Sequence, residues 1–529
     1  MSKYSRMAQK PVPQSEPLNE RQVQNAAGGF VFAIDDWGRL DRFLILGSDA
    51  PTYYQTAKAL TKENAACVTR CWTADPGRTA DRIAEISNSG RAPKNDPAIY
   101  ALAMGASHAN QEARRAALAT VPDVCRTSTH LFMFVDLCRV LGRGWGRSLK
   151  RAVARWYETK DAGDLAYQAV KYRAREGYTH KRLLQLSHPK ATGVAGQEKA
   201  TVYRWICGKK DDGPRQVPKI IIAHEQAMAP TTSRVALIGL IRANKLPWEA
   251  IPTEATKDPE VWAAMLPTLG LTAVIRNLGK MTSYGALVPL SEAVATVVSR
   301  LSSQEEIRKA RVHPFQILQA MAVYKSGKGF RGSLHWQPVP SVVAALDRAF
   351  YMAFANVESS GKRTMVALDV SGSMDSRFQD SSLSVREAAA AMAMVTVRRE
   401  PNHAIMAFAR GFVPLDISAA DSLATVVEKT SRLGMDGTDC AQPMLFALRR
   451  KIPVDVFAVY TDNETWAGRM HPPAALQLYR KEMKIPAKLI VVGMTSSGFS
   501  IADPNDGGML DVVGFDSSAP SLIADFSRG

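Results

Sequence analysis

At 529 residues the chain is too long for one core and is expected to divide into two or three domains. Its 46% hydrophobic and 22% charged residues exclude wholesale disorder, and no run of about 18 apolar residues offers a membrane span. The net charge of +17 is uneven: residues 361–529 hold 18 Lys+Arg against 19 Asp+Glu, so the rest holds 49 against 31, and a basic region of this kind suits a polyanion, nucleic acid ahead of an anionic membrane.

In chain order, residues 1–17 are polar and proline-bearing and read as a flexible tail with no secretory pattern. Residues 18–357 read as helix after helix. Apolar residues recur at three- and four-residue spacing in 98–119, 145–157, 164–175, 235–244, 261–278, 291–302 and 314–324. Breaks such as Asn88-Ser89-Gly90, Gly142-Arg143-Gly144 and Lys245-Leu246-Pro247 separate them. So many helices without one long apolar segment suggest stacked helical pairs of the solenoid kind. Residues 208–218 are expected to be an exposed loop, and 358–363 a linker. Six cysteines, Cys67, Cys71, Cys125, Cys138, Cys207 and Cys440, lack a CxxC pair and read as structural thiols of a reducing cytoplasm.

From 364 onward the pattern changes to strand–helix alternation. Strands are expected at 364–370, 404–409, 454–460 and 488–492, and helices at 383–399, 420–431, 441–450 and 473–483. Continuous apolar strands of this length imply a parallel, doubly wound sheet, which binds ligands at the carboxyl ends of its strands. Three tracts fall there: Asp369-Val-Ser371-Gly-Ser373, the loop Gly434 to Asp439 containing Thr438, and Tyr460-Thr-Asp462. Asp369, Ser371, Ser373, Thr438 and Asp462 offer two carboxylates and three hydroxyls. Such hard oxygens suit Mg²⁺, with Mn²⁺ or Ca²⁺ as alternatives. The competing reading is that these residues merely cap helices and close turns. Enzyme motifs are missing: Ser371 stands where a phosphatase-like DxD loop needs an acid, and no phosphate loop or Gly-x-Ser-x-Gly elbow occurs.

The basic residues cluster. From Arg139 to Arg182 there are 12 basic against 4 acidic residues. Arg143, Arg147, Arg151 and Arg155 recur every four residues beside Lys150, with Trp145, Leu149, Ala152 and Trp156 opposite, where both tryptophans read as core. Lys171, Arg175, Lys181 and His188 follow. Guanidinium groups grip phosphates by forked hydrogen bonds, and His or Tyr rings can stack on unpaired bases. A solvated helix face is the plainer account of any single member. Arg276, Lys280, Arg311 and Lys325, on later helices, are further candidates for RNA contact.

The strand-end oxygens resemble the metal-ion-dependent adhesion site of von Willebrand factor A domains, whose open coordination position takes a partner's carboxylate. The chain as a whole resembles the Ro autoantigen family of TROVE-domain ribonucleoproteins. The resemblance is carried by Arg39-Leu-Asp-Arg-Phe-Leu-Ile-Leu-Gly-Ser48, Val124-Cys-Arg-Thr-Ser-Thr-His-Leu-Phe132, Trp145-Gly-Arg-Ser-Leu-Lys150, Arg276-Asn-Leu-Gly-Lys-Met-Thr282, Ala310-Arg-Val-His-Pro-Phe315, Tyr460-Thr-Asp-Asn-Glu-Thr465 and Ile485-Pro-Ala-Lys-Leu-Ile490. It spans most of 17–529 and is weak over 191–233. It implies a ring of HEAT-like helical repeats and a von Willebrand A domain in a monomeric, non-enzymatic cytoplasmic protein. It also implies small Y RNAs on the outer surface, single-stranded 3′ ends of misfolded RNAs in a central hole, and an exoribonuclease partner such as polynucleotide phosphorylase. By position it places Lys171, Arg175 and His188 among the Y RNA contacts. The alternative is an adhesion-like, metal-dependent protein-binding module with incidental RNA binding.

Overall fold

The computed structural model describes residues 11–47, 65–192, 196–209, 217–329, 333–354, 359–376, 383–433, 437–495, 497–516 and 518–528. The start of the expected tail (1–10), most of the expected 208–218 loop and residue 358 of the expected linker lie outside them. The chain forms two compact units, residues 66–353 and residues 1–65 with 354–529.

Among the described residues the first unit is helical apart from a short hairpin pairing Ala174–Arg175 with Tyr178–Thr179 and a single antiparallel bridge between Lys328 and His335. Its largest buried side chains include Trp72, Trp156 and Trp262. Each indole N–H donates to a backbone carbonyl, of Ala101, Cys125 and Thr256 respectively, so no buried polar atom is orphaned by packing these rings. Trp156 is therefore core, as its position on the helix Arg147–Glu158 suggests, whereas Trp145 precedes that helix and is half-buried. Two expected helices are each divided. The segment 98–119 becomes Asp96–Ala106 and Gln111–Ala119, because Asn110 caps the second by accepting the Glu112 N–H. The segment 261–278 becomes Pro259–Met265 and Leu271–Ser283, parted at Pro267 and Gly270. The helical series closes on itself: His313 Nε2 donates to the Arg91 carbonyl at 2.9 Å and Gln316 Nε2 to that of Pro93 at 2.6 Å. This is the closure expected of a ring of repeats.

The second unit is built on a six-stranded sheet. In spatial order its strands are Met509–Val513, Lys488–Gly493, Val456–Thr461, Thr364–Asp369, His403–Phe408 and Phe412–Pro414. The first five are parallel. The last is antiparallel, which corrects the expectation of an all-parallel sheet. Only three residues connect it to its neighbour, too few for the crossover that parallel pairing needs, and an edge strand tolerates Pro414. Thr364–Asp369 and Val456–Thr461 are buried at every position, as strands covered on both faces must be. Because the chain runs from Thr364–Asp369 to one side and returns on the other, the carboxyl ends of these two strands form the switch point.

The N-terminal segment departs from expectation. Residues 11–17 are not a loose tail, and residues 18–46 do not open the helical unit. Phe30–Ala33 pairs with Gln22–Gln24 on one side and with Phe499–Ser500 on the other in a small antiparallel sheet of the second unit. Gln14 is fully buried there: its amide donates to Asp439 Oδ1 and the Met470 carbonyl, both at 2.8 Å. Gly29 lies so close to the chain at Thr465 that a Cβ would sit 1.8 Å from the Thr465 carbonyl oxygen. Among the described residues no helix is long and apolar enough to cross a membrane. All six cysteines are free, five of them buried.

Candidate functional site

Four of the five strand-end oxygens are joined by contacts. Asp369, fully buried at the end of its strand, accepts the Ser371 N–H on Oδ1 at 3.0 Å and the Thr461 hydroxyl on Oδ2 at 2.6 Å. The Ser371 and Ser373 hydroxyls are 3.0 Å apart, and the Ser373 side chain acts to hold down the Asp462 carboxyl that burial raises. Asp462 Oδ1 accepts the Glu464 N–H at 3.0 Å. Thr438 is buried nearby in the chain: its carbonyl accepts the N–H groups of Trp466 and Ala467 at 3.0 Å, tying its loop to the segment just after Asp462. Residues 434–436 of that loop lie outside the described residues.

Burial and mutual repulsion dominate the electrostatics of this cluster. Burial, and then the Asp462 charge, push the Asp369 carboxyl up to about 7. Burial raises Asp462, and burial with Asp462 raises Glu464 to about 7. Paired buried carboxylates bear such a cost when a metal neutralises them. Among the described residues no three His, Cys, Asp or Glu converge, so hydroxyls must complete any coordination here. Two carboxylates with Ser and Thr oxygens fit a hard divalent cation.

Three supporting residues escape a reading of the sequence. Arg386 is buried on the helix Val385–Arg399; its guanidinium donates to the carbonyls of Val370, Ser371 and Leu433 and pairs with Asp375 at 3.0 Å. It thus fixes the turn that carries Ser371 and Ser373. A lone cation near the start of an Ala- and Met-rich buried helix is the signal that could have exposed it. Thr461, adjacent to Asp462 in sequence, orients Asp369. Asn25 donates to the carbonyls of Asn463 and Thr465 (3.3 and 2.9 Å), and Glu464 accepts the Ala27 N–H at 3.0 Å. The N-terminal segment therefore buttresses the loop after Asp462.

The basic candidates, all in the helical unit, are scattered. Arg147, Arg151 and Arg155 are exposed on one helix with Lys150 half-buried, but Arg143 lies ahead of it and donates to Ser148 Oγ at 2.7 Å. Lys181 and His188 are exposed at opposite ends of the helix His180–Ser187. Arg175 sits on the small hairpin. Lys171 is half-buried over the Tyr167 and Tyr172 rings, 5.3 and 5.2 Å from their centroids. Arg276, Arg311 and Lys325 are exposed, the first two lining one cavity. Lys280 is otherwise engaged: it donates to Thr256 Oγ1 at 2.8 Å, lies over Trp248 and Trp262, and burial lowers its pKa. The neighbouring His180 is core, wedged against Phe132 with Nδ1 3.0 Å from the Tyr157 hydroxyl.

Against family models, residues 23–245 and 241–323 match the TROVE domain and residues 363–527 the Ro60 vWA domain. The first match runs through the weak stretch 191–233. An RNA-binding protein RO60 of Deinococcus radiodurans is 42% identical over 523 residues, covering 98% of this chain and 97% of that one. The RNA-binding protein RO60 of Caenorhabditis elegans is 35% identical, covering 98% and 91%. The crystal structure of the Deinococcus radiodurans RO (RSR) protein is similar with a TM-score of 0.68 at 40% identity, covering 94% of this chain and 100% of that one.

Proposed function

This chain belongs to the Ro60 family, a TROVE domain joined to a von Willebrand A domain, and on that premise we propose that it is an RNA-binding protein that works by holding RNA and not by catalysis. The observation that carries the reading is the placement of charge. Residues 66–353 hold 41 Lys+Arg against 23 Asp+Glu, while the other unit holds 26 against 27. The whole positive excess thus lies in the unit that holds most of the TROVE match, where it meets an RNA backbone irrespective of sequence.

In the finer form of the proposal, Arg147, Lys150, Arg151, Lys171, Arg175, Lys181 and His188 hold a small structured RNA of the Y type, read by its shape. Arg276, Arg311 and Lys325 face single-stranded 3′ ends of misfolded RNAs, while Lys280 supports its neighbours through Thr256 and the two tryptophans. The RNA so held is passed to an exoribonuclease in the cytoplasm. In the second unit Asp369, Ser371, Ser373, Thr438 and Asp462 would hold Mg²⁺, whose open position accepts an acidic group from a partner. The buried acid pair also favours the second reading, a metal-dependent protein-binding module, as an additional role.

The test compares a hairpin RNA carrying a 3′ overhang of about ten nucleotides with the same hairpin blunt-ended. The overhang is expected to bind more tightly, with both RNAs recovered at full length after incubation with Mg²⁺. Equal affinities count against the single-strand role, and shortened RNA against the non-catalytic one.

A further inference from the structure

Two neighbouring cavities lie where the helical series closes, and they differ in chemistry. One, of about 400 Å³, is lined by Lys94, Arg126, Arg276 and Arg311, with Asp96 as the acid on its wall. Arg126 donates to two neutral groups, Ser87 Oγ at 2.7 Å and Asn88 Oδ1 at 3.1 Å. Burial and then the nearby Arg311 guanidinium hold its pKa below the ordinary value, a sign of like charges kept close. The other cavity, of about 470 Å³, is mainly apolar, with Ile275, Phe315, Val323 and Trp336 among its walls. Pro93, Lys94, Arg276 and Gln316 line both.

Trp336 is held in a fixed pose. Its N–H donates to the Tyr324 carbonyl at 2.8 Å, and its ring lies nearly parallel to that of Tyr324, 19° between planes. The six-membered edge rests on Gly279, where a Cβ would approach within 2.6 Å of the indole. A half-buried aromatic ring with so little freedom is a platform prepared for another flat ring. The volume falls within the roughly 300–1,000 Å³ of small-molecule sites.

We propose that the paired cavities form a nucleotide site: the arginine cluster takes a phosphate, and the adjoining apolar cavity takes the base of the same unpaired nucleotide against Trp336. The occupant is one nucleotide of single-stranded RNA, because a base paired within a duplex cannot leave its stack to enter a side cavity without cost. Stacking is indifferent to base identity, and guanidinium groups read phosphate alone. The site therefore holds a strand without selecting its sequence. The proposal rests on the single-strand role given above and adds to it where the strand is gripped.

The experiment uses the full chain, the overhang hairpin and the blunt hairpin. Trp336→Ala is expected to lower overhang affinity about tenfold and leave its salt dependence unchanged. The pair Arg276→Gln and Arg311→Gln alters exposed side chains and should preserve the fold. It is expected to reduce the slope of log affinity against log salt by about one to two units, for the overhang RNA only. Trp336→Phe, retaining a flat ring, should recover most of the affinity. If the wild type prefers the overhang and both the arginine pair and a folded Trp336→Ala protein keep that preference, the nucleotide site is overturned while the single-strand role stands. If the wild type itself binds both hairpins equally, the role and the site fall together.

Discussion

Asp369 and His180 show opposite uses of a buried titratable group. Asp369 faces a second carboxylate, so removing it should remove the attraction for a divalent cation. Asp369→Ala is expected to abolish Mg²⁺ binding in calorimetry while the helical unit keeps its melting behaviour; an undiminished affinity would show the site to be misassigned. The Asp-x-Ser-x-Ser pattern was legible because alternate residues of a turn at a strand end can face one point. Arg386 was not, because it acts on backbone carbonyls, which every residue carries. Lys280 shows the converse, since a cation in a sequence gives no sign that Thr256, Trp248 and Trp262 engage it. His180 provides a test by pH. Burial lowers its pKa to about 4 from 6.5, so between those values the unfolded chain binds the extra proton and the folded one does not. Stability of the helical unit is fully present above about pH 6.5 and is lost as pH falls toward 4, by an order of magnitude of roughly 3 kcal/mol. Denaturant unfolding of wild type and His180→Phe at pH 7 and 4.5 checks this. The variant should lose less stability between the two, and an equal loss would acquit His180.

At the scale of elements, long helices and continuous apolar strands were readable because each carries its own periodicity. The breaks inside 98–119 and 261–278 were harder, since apolar spacing continues across Asn110 and Gly270. The N-terminal strands were unreadable for a stronger reason. Three or four residues hold no period, and one of their partners, Phe499–Ser500, lies far along the sequence. Their value to the candidate metal-site loops can be measured. Gly29→Ala inserts a methyl group into the Thr465 carbonyl, a backbone contact that cannot turn aside. The second unit should lose about 1–3 kcal/mol of stability, since overpacking on this scale forces the backbone to move. Mg²⁺ affinity should fall with it, because the displaced loop begins just after Asp462. A variant with wild-type unfolding and wild-type Mg²⁺ affinity would deny the N-terminal segment its buttressing role.

For the whole molecule the sequence already located the charge, but only the structure drew its boundary. Reassigning residues 1–65 to the second unit leaves that unit at 26 basic against 27 acidic residues and the helical unit with the full excess of 18. A polyanion should therefore sense one unit and ignore the net charge of the other. Each phosphate neutralised on RNA releases counterions, contributing about −0.7 to the slope of log affinity against log salt on single strands. Arg147, Arg151 and Arg155 project from one helix face, and replacing all three by Gln removes three positive charges without touching the buried side of that helix. The slope should decrease in magnitude by about two, equally for RNAs of different sequence, because phosphate contacts carry no base information. Arg449 and Arg450 are exposed at the end of a helix in the second unit, so their replacement by Gln is the control and should leave the slope unaltered. Binding titrations across a series of KCl concentrations supply both slopes. Equal shifts per charge removed in the two sets of variants would mean that RNA responds to total charge alone; a shift confined to the second unit's variant would move the RNA surface off the helices altogether.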